Sequence, residues 1–188
     1  MHPAVFLDRD GTLIEEVGYL DRLERLAFYP WSVDAVRLLN QAGFLVIVVT
    51  NQAGVAHGIF EESFVGEAHR YIDAKVTAGG ACIDAYYYCP HHPDASVANY
   101  RQLCECRKPS PGMLRQAERE LHVDLRRSFV IGDRWLDVQM AQTADATGIL
   151  VRTGYGRTEE RRPKEHVRAA TVVDNLIEAV SWILRSGY

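Results

Sequence analysis

The chain has 188 residues, is 47% hydrophobic and carries a formal net charge of −4. That length suits one domain spanning 1–188 with a sizeable core, and the acidic balance excludes a general attraction to nucleic acid or an anionic membrane surface. No apolar stretch reaches the length of a spanning helix and Met1-His2-Pro3 opens no signal peptide, so a cytoplasmic chain without a membrane partner is expected.

Ala4-Val5-Phe6-Leu7 reads as a buried strand that ends in Asp8-Arg9-Asp10-Gly11-Thr12. Two carboxylates two residues apart leave the strand tip together, which is costly unless a cation or a proton separates them. A divalent metal supplies that cation, freeing one carboxylate as a nucleophile and the other to move protons. Taken alone, the segment also reads as a charged turn or part of a calcium loop. Ser32 to Ala42 carries a helical stripe at Ala35, Val36, Leu38, Leu39 and Ala42, stopped by Gly43. Leu45 to Val49 is β-branched and strand-like, and leads into Thr50-Asn51-Gln52. A weaker helix covers Glu62 to Ala78, and Ala85 to Tyr88 is strand-like. Ser110-Pro111 reads as a cap and first-turn proline opening a helix through Leu121. Phe129-Val130-Ile131 is a strand running into Gly132-Asp133, followed by a helix to Ala144 and the strand Ile149-Leu150-Val151. Gly154 to Arg168 reads as loose, and Asp174 as the cap of a last helix with Leu176, Ile177, Val180, Ile183 and Leu184 inward. No internal repeat is present. Strands separated by helices imply an α/β fold: a doubly wound parallel sheet with helices on both faces.

In such a sheet ligands bind beyond the carboxyl ends of the strands. Asp8 and Asp10, Thr50 and Asn51, and Asp133 all follow apolar runs directly, giving polar groups suited to one phosphate and one metal. Asp133 and Asp137 are four apart at a helix start, where Asp137 serves equally well as a cap or near a metal.

The ordered set Asp8-x-Asp10-Gly11-Thr12, Thr50-Asn51, Lys108 and Gly132-Asp133-x-x-x-Asp137 resembles the haloacid-dehalogenase-like hydrolases, over residues 4–151. The resemblance implies a Rossmann-like fold of that type, with Asp8 as the nucleophile and Asp10 as the general acid and base. It also implies that Thr50 and Lys108 bind the transferring phosphoryl group, and that Asp8, the backbone carbonyl of Asp10 and Asp133 hold Mg²⁺. Phosphoryl transfer is mostly positioning and charge stabilisation, which Lys plus Mg²⁺ can supply.

Cys89-Pro90-His91 and Cys104-Glu105-Cys106 bracket a polar loop, residues 89–106. Three thiolates and one imidazole make a closed tetrahedral Zn²⁺ set with no open position for catalysis. A disulfide is the poorer reading in a cytoplasmic chain. His92 is a second choice to His91, Cys82 reads as a small buried hydrophobe, and His57, His69 and His122 as surface or packing residues.

Cys89-Pro90-His91-His92-Pro93 and Cys104-x-Cys106-Arg107-Lys108-Pro109 resemble the heptose-bisphosphate phosphatases, a branch that borders the histidinol-phosphate phosphatases. The longer zinc loop favours the former. Three positions depart from that branch: Ala53 stands where Ser is usual, His57 where Arg is common, and Arg134 where Lys follows the metal-binding Asp. The branch implies a monomer acting on a small phosphorylated sugar. The interval between Asp10 and Thr50 is too short for a separate cap domain, so the site is expected to be capless. Glu16, Val17, Gly18 and Tyr19, then Thr50, Asn51, Gln52 and Ala53, then Arg107, Lys108 and Arg134 are expected to contact substrate. Intact Asp8, Asp10, Lys108 and Asp133 argue against a non-catalytic zinc-stabilised binding module. The acidic charge and lack of an aromatic-basic tract argue against a nucleic-acid end-processing phosphatase.

Overall fold

The computed structural model describes residues 1–187. Six strands form one sheet: β1 (Ala4–Leu7), β2 (Leu45–Asn51), β3 (Ala85–Cys89), β4 (Phe129–Gly132), β5 (Thr147–Val151) and β6 (Thr171–Val173), in the order β3-β2-β1-β4-β5-β6. Every pairing is parallel, with Val5 opposite Val46 on one side and Phe129 on the other. The helices are α1 (Ser32–Gln41), α2 (Ala53–Ala56), α3 (Glu62–Ala78), α4 (Gly112–Leu121), α5 (Trp135–Thr143), α6 (Gly156–Glu160) and α7 (Leu176–Arg185).

Central parallel strands are covered on both faces, so they need apolar residues at every position. β1 meets this with Ala4, Val5, Phe6 and Leu7, all fully buried. Its side chains alternate between two cores. Val5 and Leu7 join α1, α3 and α7 through residues such as Leu39, Ile72 and Val180. Ala4 and Phe6 join α4 and α5 through Met113, Leu114 and Met140. Burying a side chain the size of Leu7 or Phe6 contributes about 1.5–3 kcal/mol. This packing fixes the tips of β1, β2 and β4 side by side, and β1 and β4 flank the point where the strand order reverses.

The expected doubly wound sheet is present and no cap domain intervenes: the segment from β1 to β2 holds turns, a short 3-10 helix and α1. No helix among the described residues is long and apolar enough to cross a membrane. Several local expectations are corrected. β6 is a strand that the sequence reading lacked; three half-buried residues at a sheet edge carry little periodicity. The segment read as loose contains α6, held by Arg152, which forks onto Glu160 at 2.7 and 2.8 Å and reaches Asp174 at 2.9 Å. The cap of α7 is Asn175, whose Oδ1 accepts from the Glu178 N–H at 3.1 Å; Asp174 instead donates its own N–H to Glu178. Leu184 points outward, whereas Leu176, Val180 and Ile183 are buried. α4 starts at Gly112 with Pro111 at its cap. Cys82 is exposed in the turn after α3, where its backbone is bonded on both sides by Asn40.

Candidate active site and zinc-type cluster

The tips of β1, β2 and β4 open into a cavity of about 310 Å³. On its floor Lys108 is almost fully buried, its Nζ donating to Asp8 Oδ1 at 2.7 Å and Asp137 Oδ1 at 2.6 Å. Burial alone would drive the Lys108 ammonium toward neutrality, but Asp137 and Asp8 outweigh it and raise its pKa. Asp137 spends its other oxygen on the Arg134 backbone N–H at 3.2 Å, so it both starts α5 and anchors Lys108.

Asp133 lies just beneath the cavity wall. Its Oδ2 accepts from the Tyr155 N–H at 2.8 Å, while Oδ1 is buried without a hydrogen-bond partner. Carboxylate oxygens of Asp8, Asp133 and Asp137 all lie within 4.8 Å of one another. Burial pushes the Asp8 carboxyl up to about 7 against the pull of Lys108, and burial with repulsion from Asp8 and Asp137 pushes Asp133 up to about 9. One lysine does not neutralise this cluster. An unpartnered, buried carboxylate oxygen within it suits a hard cation.

Two glycines make room for Asp133. A Cβ on Gly11, at φ +84°, would stand 2.3 Å from Asp133 Oδ2, and one on Gly154, at φ +52°, would stand 2.2 Å from it. Gly11 therefore has two reasons to lack a side chain.

Asp10 is held on the cavity side by Arg9, which forks onto it at 3.0 and 3.1 Å, and by Gln52 Nε2 at 3.0 Å. Gln52 also donates to Thr50 Oγ1 at 2.8 Å, joining the tips of β1 and β2. Arg9 is 1% exposed and had no role in the sequence reading. An arginine between two motif aspartates was the available signal. Asn51 faces the backbone of Lys108, accepting its N–H at 3.1 Å and donating to its carbonyl at 3.4 Å.

Of the loop residues, Glu16, Gly18, Tyr19, Ala53, Arg107 and Arg134 reach the cavity wall. Glu16 folds its own loop by accepting the Gly18 N–H at 2.5 Å, and burial raises its pKa. Val17 is not in the wall: it packs against the core, and its carbonyl accepts from Arg25 at 2.7 Å. Its apolar side chain has nothing to gain from a polar cavity. His92 and Tyr155 also line the cavity: His92 belongs to the loop 89–106 that is expected to shape the site, whereas Tyr155 lies in the segment that reads as loose.

Beside the cavity, Cys89 at the end of β3 meets His91, Cys104 and Cys106. The Sγ atoms lie 2.9 to 3.5 Å apart, and His91 Nδ1 is 3.3 Å from Cys106 Sγ and 3.8 Å from Cys89 Sγ. None of these cysteines is in a disulfide. A tetrahedron of ~2.3 Å bonds has edges of about 3.8 Å, so four donors gathered this closely are near enough to hold one ion between them. Hydrogen bonding with Cys89 pulls the Cys106 thiol down to about 5, while the same contact and burial push Cys89 up. His91 rather than His92 faces the sulfurs; the His92 ring lies beside His57 instead, with centroids 4.9 Å apart. The cluster runs straight into the cavity through Arg107, which donates to the His91 carbonyl at 3.1 Å.

Comparison with known proteins agrees with this geometry. A family model described as HAD-hydrolase-like matches residues 105–179. The chain is 44% identical over 159 residues, 84% of its own length and 85% of the other's, to D-glycero-beta-D-manno-heptose-1,7-bisphosphate 7-phosphatase of Yersinia pestis. It is 37% identical over 175 residues to the protein of the same name from Pasteurella multocida, covering 93% of this chain and 95% of that one. Among solved structures, the D,D-heptose 1,7-bisphosphate phosphatase of B. bronchiseptica, complexed with magnesium and phosphate, superposes with a TM-score of 0.87 at 30% identity, covering 98% of this chain and 99% of that chain. The chain belongs to the D-glycero-beta-D-manno-heptose-1,7-bisphosphate 7-phosphatase family of haloacid-dehalogenase-like hydrolases.

Proposed function

We propose that this phosphatase removes the 7-phosphate of D-glycero-D-manno-heptose 1,7-bisphosphate in nucleotide-heptose biosynthesis, through an aspartyl phosphate on Asp8. The observation that carries the reading is the buried Asp8–Lys108–Asp137 row beside Asp133, set at the strand tips of a phosphatase fold. Asp8 attacks phosphorus. Lys108, already 2.7 Å from the attacking carboxylate, moves its charge onto the transferring oxygens, and Thr50 binds them at the neighbouring tip. Asp10 protonates the departing sugar oxygen, then takes a proton from the water that hydrolyses the acyl phosphate. Arg9 and Gln52 hold it in place for both steps.

Asp8, the backbone carbonyl of Asp10 and Asp133 would hold Mg²⁺, which when bound supplies positive charge to the phosphoryl oxygens. Asp137, with one oxygen on Lys108 and the other on the Arg134 N–H, is assigned to holding Lys108 beside that set. Cys89, His91, Cys104 and Cys106 would hold Zn²⁺, a structural ion that folds the loop carrying Arg107 and Lys108. Glu16, Gly18, Tyr19, Gln52, Ala53, Arg107 and Arg134 shape the sugar site. On this reading the chain acts as one phosphatase unit, a cytoplasmic monomer with no nucleic-acid or membrane partner.

The test is a phosphate-release assay with Mg²⁺ across heptose 1,7-bisphosphate, fructose 1,6-bisphosphate and histidinol phosphate. The heptose ester should have the highest kcat/KM, and Asp8→Asn should abolish turnover, since an amide forms no acyl phosphate. A preference for histidinol phosphate would replace the substrate; turnover by Asp8→Asn, with deamidation excluded, would overturn the mechanism.

A further inference from the structure

Arg134 stands one residue after Asp133 at the start of α5 and lines the cavity wall, as does Tyr155. It forms no ion pair with any described residue. The carboxylates that feel its charge are Glu16, across the same wall, and the adjacent Asp133, but neither forms an ion pair with it. Glu16 accepts from the Gly18 N–H and Asp133 from the Tyr155 N–H, while Glu159 accepts from the Trp135 N–H at 2.8 Å and Glu160 takes Arg152. What does hold Arg134 is Tyr155, whose ring centroid lies 3.9 Å from the guanidinium carbon.

Tyr155 is itself an unusual residue to find at this place. It is 38% exposed, so core packing does not account for it. Its backbone is nonetheless fixed, the N–H donating to Asp133 Oδ2 at 2.8 Å. Gly154 before it has φ +52°, and a Cβ on Gly156 after it would meet the Val151 carbonyl oxygen at 1.7 Å. The ring therefore rises from a pinned turn rather than a free loop. A guanidinium lying on an aromatic face keeps its planar N–H edge available, and that edge fits two oxygens of a phosphate.

We propose that Tyr155 is a positioning residue that holds the Arg134 guanidinium as a preformed receptor for the non-reacting phosphate of a bisphosphorylated substrate. The proposal deepens the reading above and rests on its substrate class. Lys108 on the floor serves the reacting phosphoryl group, so an arginine without a carboxylate partner in the wall is left for a second anion. The ring also restricts a long, flexible side chain before substrate arrives, which lowers the ordering cost of binding.

The experiment is steady-state kinetics of the Mg²⁺-supplied enzyme on heptose 1,7-bisphosphate, fructose 1,6-bisphosphate and p-nitrophenyl phosphate, for Tyr155→Ala, Tyr155→Phe, Tyr155→Leu, Arg134→Ala and the Arg134→Ala/Tyr155→Ala pair. Tyr155→Ala should raise KM for the bisphosphates about three- to thirtyfold, with a smaller change for the monoester. Phe should restore the bisphosphate KM and Leu should not, because only Phe offers a π face. The pair should lose little beyond Arg134→Ala alone, since both act through one contact. Equal loss on all three esters, rescue by Leu as complete as by Phe, or losses that simply add would overturn the proposal. Failure of the substrate reading is scored separately, on the wild-type enzyme, by a preference for histidinol phosphate over the heptose ester.

Discussion

Asn51 at the tip of β2 grips the backbone of Lys108 at both ends of the residue, accepting its N–H at 3.1 Å and donating to its carbonyl at 3.4 Å. The two positions are 57 residues apart in sequence, and the side chain stands in for a neighbouring strand that the loop lacks. The contact fixes where the Lys108 side chain enters the floor, between Asp8 and Asp137.

Asn51→Ala should therefore act on catalysis through Lys108. A buried N–H left without its acceptor costs about 1–3 kcal/mol. The expected result is a fall in kcat/KM of roughly ten- to a hundredfold on that scale, with a few degrees lost in Tm. Asn51→Asp, which keeps the acceptor but not the donor, should fall between. Wild-type kcat/KM in Asn51→Ala would show that Lys108 finds its place without the clasp.

The sheet was legible because central parallel strands must be apolar throughout, and Ala4–Leu7, Leu45–Val49 and Phe129–Ile131 are. Polar residues straight after those runs marked the tips, and the spacing of Cys89, His91, Cys104 and Cys106 marked the cluster. What stayed hidden depends on tertiary contact. Thr171–Val173 is a strand only because β5 offers it an edge, and α6 forms because Arg152 ties Glu160 back to the sheet. Tyr155 lies in that same stretch, so its ring against Arg134 had no local signal. Val17 was placed by its neighbours in sequence, but the loop turns its side chain to the core. Asp137 looked like a cap or a metal neighbour; its engagement of Lys108 joins residues 29 apart.

The zinc-type cluster gives a second prediction. Because Arg107 and Lys108 directly follow Cys106, losing the metal should release them from the cavity. Protein purified without chelator should carry about one zinc per chain, by the four-ligand rule, and Cys106→Ser should lower both zinc content and kcat/KM. Brief EDTA treatment followed by excess Mg²⁺ should restore activity with the zinc still bound, because oxygen ligands release Mg²⁺ far more readily than thiolates release zinc. Zinc-free protein with full activity would remove the loop from any catalytic role.

Gly11 supplies a third. Adding a Cβ at φ +84° costs about 1–2 kcal/mol in backbone strain, and here the new atom also strikes Asp133 Oδ2 at 2.3 Å. Gly11→Ala should push Asp133 off its position and raise the Mg²⁺ concentration for half-maximal activity about tenfold, a shift worth ~1.4 kcal/mol. Activity titrated against Mg²⁺ measures this directly. An unchanged half-saturation point would mean that Asp133 is not in contact with the ion.

The fourth prediction lies away from the cavity and concerns acid stability. His69 on α3 is 7% exposed, stacked on Tyr86 at 4.6 Å between ring centroids, and its Nε2 has no hydrogen-bond partner. Burial, with the nearby positive charge of Arg9 adding to it, pulls its pKa from 6.5 down to about 3. The folded state thus keeps His69 neutral at pH values where the unfolded chain takes up a proton. Above 6.5 both states are neutral and the residue adds no pH dependence. As pH falls from 6.5 toward 3, stability is lost, at no more than about 1.4 kcal/mol per pH unit from this one group. His69→Phe keeps an aromatic ring against Tyr86 and removes the titration. Urea unfolding at pH 7 and pH 5 should show the wild type losing more stability than the variant, by about 1–2 kcal/mol on the same scale. Equal losses would mean that His69 reaches a proton in the folded protein, and the acid sensitivity would have to come from groups elsewhere.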